Sequence, residues 1–187
     1  MKIEKSMKKI IVLLSFILLF FFLILGQSHA QEKMLIKDDM VSPTREVNKK
    51  VDYQLPYPGL LPDSPLYFSK VLRDAIVDFL ISNPLKKADF YLLQADKRLN
   101  AGAYLFQTKK EKENMAESTI SKGENYFEKA IAKANEAKNQ GMDIKDITSR
   151  LLNSSKKHQE VLRELNLEML LKRAGSLEKQ VVALTHK

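Results

Sequence analysis

Apolar residues first crowd into one run, Ile10 to Leu25, broken only by Ser15, and later settle into helical spacing. Leu85, Ala88, Leu92, Ala95, Leu99, Gly102 and Phe106 recur at alternating steps of three and four, which predicts a helix over 84–109. Ala116, Ile120, Gly123, Phe127, Ala130, Ala134 and Ala137 repeat the pattern over 113–140. Ile144, Ile147, Leu151, Ser154, His158, Val161 and Leu165 do so again from about Asp143. An earlier helix over 65–82 gathers Phe68, Leu72, Ile76 and Phe79 on one face, widened by Val71, Ala75 and Leu80. That face is expected to turn toward the core, and Val77 and Ile81 off it suggest cover on more than one side. Stripes joined by short polar links predict antiparallel neighbours. The expected fold is therefore all-α, an antiparallel bundle of about four long helices.

Punctuation residues set the boundaries. Five of the six prolines lie between residues 43 and 65, and the sixth is Pro84. Tyr53 to Pro65 reads as a stiff, extended, Pro-rich strap that packs across the first two helices. Asp63 or Ser64 is the expected cap of the first helix, and Asn83-Pro84 the cap and first turn of the second. Gly141 suits the residue after a helix C-terminus. Gly102 in mid-helix costs about 1 kcal/mol against Ala, so it is expected to mark a bend or a close helix–helix approach. Leu177 to Leu184 either continues the fourth helix or folds back on it.

The N-terminal run changes the compartment. Lys2, Lys5, Lys8 and Lys9 precede it, and Ser28-His29-Ala30 places small residues before Gln31. This is the layout of a secretory signal peptide. Spanning a bilayer takes roughly 20 apolar residues, and the run lies at the short edge of that range. Cleavage and retention as an N-terminal anchor are thus the two readings. Both export residues 31–187, to a periplasmic, cell-surface or secreted location. The expected layout is a signal or anchor over 1–30, a tether over 31–52 and a helical domain over 53–187.

Charge and composition narrow the chemistry. The whole chain carries +8, but residues 31–187 hold 27 basic and 22 acidic residues, a net +5. Signs are interspersed, which argues against a nucleic-acid surface. Lys86, Lys87 and Lys97, with Lys109, Lys110 and Lys112, remain candidates for a polyanion or membrane surface. There is no cysteine, which excludes disulfides, thiolate metal sites and a Cys nucleophile.

No catalytic or cofactor motif stands out. His158 sits on an apolar stripe, and Ser155 occupies the place where a di-iron bundle would need Glu. It reads as a core residue. Asp74 and Asp78 lie one turn apart, with Lys70 one turn earlier as an ion-pair partner for Asp74. Asp96, Lys97 and Arg98 are expected to form an ion-pair network with the first helix. No catalytic, metal or cofactor residue is assigned. The strap is the best functional candidate: Tyr57, Leu60, Leu61 and Tyr67 would offer a docking surface if exposed.

YPGLLPDSPLYFSKVLRD at 57–74 and KKADFYLLQADKRL at 86–99 resemble a bacterial family known as domain of unknown function 5667. The resemblance rests on Leu61-Pro62, Ser64-Pro65-Leu66-Tyr67, Lys70 and Ala95-Asp96-Lys97-Arg98-Leu99, and more loosely on His158-Gln159-Glu160-Val161-Leu162. It covers roughly residues 53–166 and implies an exported or membrane-tethered helical domain with no established activity. The functional expectation is a non-enzymatic protein-binding or structural module. Its partner would be an envelope protein or a second copy, with membrane contact through residues 10–25 if these are uncleaved. An enzyme with a motif-less site, or a polyanion or membrane-surface binder, is the alternative.

Overall fold

The computed structural model describes residues 50–185, so the apolar run at 10–25, its cleavage motif and most of the tether lie outside the described residues. Five α-helices follow the strap: α1 (Tyr67–Leu80), α2 (Pro84–Thr108), α3 (Glu113–Asn139), α4 (Lys145–Glu164) and α5 (Glu168–Thr185). One 3-10 turn, Lys110–Lys112, links α2 to α3. There is no strand among the described residues, and no helix among them is long and apolar enough to cross a membrane.

Local chemistry explains the boundaries. The Asn83 side-chain oxygen accepts from the Lys86 N–H at 3.0 Å, and Pro84 occupies the first turn of α2. Such a cap stabilises by about 1 kcal/mol. The cap expected for α1 does not form. Leu66 holds that position without a side-chain cap, and Ser64 Oγ only accepts from the Leu66 N–H at 3.3 Å. Asp63 is drawn elsewhere, to the ammonium groups of Lys109 and Lys112.

The C-termini of α3 and α4 close in the same way. Gly141 has φ +76°, and the Met142 N–H donates back to the Ala137 carbonyl at 3.0 Å. Asn166 has φ 57°, and the Leu167 N–H donates to the Leu162 carbonyl at 3.0 Å. A left-handed residue with this bond ends a helix and reverses the chain. The segment after Leu165 therefore folds back as α5.

Two hairpins result, α2/α3 and α4/α5, with α3 packed on α5 and α2 on α4. The α2 and α3 stripes meet so closely that a Cβ at Gly102 would collide with Ile120 and stand 2.8 Å from the Ala116 carbonyl oxygen. Gly102 thus marks a close approach. One core cluster gathers Leu92, Phe127, Ile131, Leu151 and Val181; a second gathers Leu99, Ile120, Leu162 and Leu165. Burying such side chains stabilises by about 1.5–3 kcal/mol each. No α1 residue belongs to either cluster. The four bundle helices are α2 to α5, and α1 is an outer layer.

The strap reaches the first two helices, as expected, and also α4. The Val51 N–H donates to Glu160 of α4 at 2.7 Å, and Asn100 Nδ2 of α2 donates to the Pro56 carbonyl at 3.0 Å. Leu55 packs against the second core cluster. Its hydrogen bond to α1 runs from Lys70 Nζ to the Pro58 carbonyl at 3.4 Å.

Candidate functional site

Three ionisable side chains from three helices meet inside the bundle. His158 of α4, 1% exposed, lies between Glu124 of α3 and Asp96 of α2, which are also buried. Its Nδ1 is 2.8 Å from Glu124 Oε1 and its Nε2 is 3.0 Å from Asp96 Oδ1. Asp96 also accepts from Ser154 Oγ at 2.5 Å and from the Tyr53 hydroxyl of the strap at 2.5 Å. Phe127 covers the imidazole, with ring centroids 5.2 Å apart.

The electrostatics follow from this geometry. Burial alone would push the imidazole toward its neutral form. The Glu124 charge and the hydrogen bonds that His158 donates to both carboxylates outweigh it and raise the His158 pKa to about 9. His158 is therefore an imidazolium at neutral pH, donating from both ring nitrogens. Burial, and then the Asp96 charge, pushes the Tyr53 hydroxyl above the ordinary tyrosine range. With both nitrogens protonated, His158 has no lone pair to accept a proton or ligate a metal. Ser154 donates to Asp96, so it is not aligned on the histidine as a nucleophile would be. The cluster ties α2, α3, α4 and the strap together.

Outside the bundle, α1 is turned the opposite way from the sequence expectation. Lys70 and Asp74 are its buried residues, at 6% and 5% exposure. Phe68, Phe79 and Leu80 are 68%, 86% and 70% exposed, and Leu66, Val71, Leu72 and Ile76 are also on the surface. Lys70, Asp74 and Asp78, spaced one turn apart, form the inner stripe. Asp78 pairs with Lys87 at 3.4 Å, and Asp74 pairs with its neighbour Arg73 at 2.8 Å, not with Lys70. Burial and the Arg98 cation lower the Lys70 pKa to about 8, against the opposing pull of Asp74.

This inner contact is incompletely satisfied. Among the described residues Asp74 Oδ2 and Arg98 Nε are buried without a hydrogen-bond partner, and Asp78 Oδ1 has only the long ion-pair contact with Lys87. Arg98 otherwise donates to Gln94 at 2.9 Å and lies 4.2 Å from the Tyr126 ring centroid.

The sequence-predicted residues separate in space. Tyr57 is 82% exposed and Leu60 is at the surface, whereas Leu61 and Tyr67 are half-buried. Tyr67 lies under the Lys70 ammonium, 5.4 Å away. Lys86 is exposed, Lys97 is half-buried, and Lys87 is engaged by Asp78. Asp96 turns inward to His158, so of the expected ion pairs with the first helix the one seen is between Lys87 and Asp78.

The family model described as Domain of unknown function (DUF5667) matches residues 59–169, more than half of the chain. The chain belongs to that family. No curated protein and no solved structure matches it.

Proposed function

We propose that this member of the DUF5667 family is an exported module of the cell envelope that works by binding, without catalysis of its own. One observation carries the reading: α1 directs its charged stripe inward and its apolar face outward. Exposing Phe68, Leu72, Phe79 and Leu80 to water is unfavourable, and a contiguous apolar patch of this kind marks a contact surface. The bundle beneath is a rigid mount, held by the two apolar clusters and the Asp96–His158–Glu124 contact.

Export is supported by the sequence of residues 1–30, with its basic start, apolar run and small-residue motif. The strap contributes exposed Tyr57 and Leu60 to the same module. Polyanion binding is less well supported, because Lys87, Lys109 and Lys112 are already paired with carboxylates.

Cell fractionation combined with intact-mass measurement tests this reading. The chain is expected in the exported or envelope fraction, either full length or starting at Gln31. Full-length chain confined to the cytosol would refute export. Turnover of a substrate by the purified chain, lost on Asp74→Ala with the fold intact, would refute the binding role.

A further inference from the structure

We propose that the outward face of α1 is a lipid-contacting surface that lies in the interfacial layer of a bilayer. This rests on the envelope reading above and names the ligand of that surface. A helix of 14 residues is about 21 Å long, and its outward residues are Phe, Leu, Ile and Val. An interfacial helix sinks such a face roughly 5–10 Å into the headgroup and acyl boundary. The outward stripe offers little hydrogen bonding and no indole, and the exposed guanidinium of α1, Arg73, is paired with Asp74, so the groups that usually anchor a protein partner are not on offer.

Three further observations select the bilayer. First, the same chain carries the apolar run Ile10–Leu25 behind four lysines. A polar link, residues 26–49, joins that run to the described domain. Only 24 residues separate the two, so a run seated in a membrane tethers the domain that carries α1 to that membrane. Second, the exposed charge beside the face is cationic. Arg73 and Lys86 are exposed, whereas Asp74 is buried and Asp78 is paired with Lys87. Such cations suit anionic headgroups. Third, α1 contributes nothing to the core clusters, so its apolar residues are free to enter lipid without unpacking the bundle. A second copy is the weaker occupant. A stable interface buries about 1,200 Å² or more, and one short helix from each copy is a narrow base for it.

The chain has no cysteine, so single-cysteine variants report cleanly. Spin labels at Leu72→Cys, Phe79→Cys and the exposed control Ser149→Cys are read on the full-length protein. The protein is reconstituted into vesicles of phosphatidylcholine and phosphatidylglycerol, with circular dichroism confirming the fold. At positions 72 and 79 the ratio of collisions with oxygen to collisions with a water-soluble nickel complex is expected to be several-fold higher than at 149. A ratio equal to the control would overturn the proposal. So would labels shielded from both reagents with spin–spin broadening between copies, which would assign the face to a second molecule. The vesicle result does not depend on export, so its failure is distinguishable from failure of the fractionation test.

Discussion

The Tyr53 hydroxyl donates to Asp96 Oδ2 at 2.5 Å, which fastens the strap to the carboxylate that also receives His158. The strap and the buried imidazolium thus share one carboxylate. Tyr53→Phe removes that bond and keeps the ring. Hydrogen bonds to charged groups stabilise by about 1.5–3 kcal/mol, and a loss of that order is expected in urea unfolding. Hydrogen exchange should quicken at the strap amides before it quickens in α2. An unchanged midpoint would show that the strap's other contacts, among them Leu55, Pro56 and Glu160, hold it without this bond.

Stability should fall on the alkaline side. The His158 pKa rises from an ordinary 6.5 to about 9 in the fold, so its contribution is complete below about 6.5 and disappears as pH rises through about 9. The groups facing it are Asp96 from α2, Glu124 from α3 and Phe127, with Ser154 and Tyr53 completing the Asp96 shell. The full change is on the order of 3 kcal/mol. Lys70 acts in the opposite sense. Its pKa is lowered from 10.5 to about 8, so the fold gains relative stability between those values. Unfolding curves from pH 6 to 10 on His158→Gln and Lys70→Met separate the two. The first should lose the alkaline decline and the second should steepen it.

Burial decides which carboxylate matters. Asp96→Asn leaves an imidazolium with a weakened partner inside the bundle, and a loss near the 3–5 kcal/mol of a broken buried pair is expected. Asp63→Asn removes the partner of Lys109 and Lys112, whose side chains are about a third exposed. That loss should stay within about 1 kcal/mol and shrink in salt. Equal losses in thermal or urea unfolding would contradict the assignment of the two sites.

Gly102→Ala sets helix propensity against sterics. Alanine gains about 1 kcal/mol in an exposed helix. Here the added methyl meets Ile120 and the Ala116 carbonyl, so a net loss of about 1–3 kcal/mol is expected. Ile120→Ala on the same background should fail to restore the parent, because the carbonyl belongs to the backbone.

The three bundle stripes were legible because a helix buried on one side must repeat its apolar residues at that spacing. Leu92, Leu99, Phe127 and Leu151 all lie where the period places them. The period says nothing about which side of a helix meets the protein, and that is where α1 misled. Phe68, Leu72, Ile76 and Phe79 describe a sound amphipath, but on the other side Lys70 bonds the Pro58 carbonyl of the strap and Asp78 pairs with Lys87 of α2. The buried cluster was hidden for another reason. His158 is 34 residues from Glu124 and 62 from Asp96, so only the fold brings them together. The available hint was Ser154 and His158, two polar residues one turn apart on an otherwise apolar stripe. The reversal into α5 turns on Asn166 in a left-handed conformation, which composition does not announce.

The orientation of α1 is the claim on which the functional reading stands, and one unfolding experiment tests it. The variant Phe68→Ser, Leu72→Ser, Phe79→Ser is compared with the parent in urea, without lipid. If the face points outward, each surface substitution stays within about 0.5 kcal/mol and the midpoint is essentially kept. A combined loss of several kcal/mol, as three buried side chains at about 1.5–3 kcal/mol each would give, would place that face in the core and contradict the account.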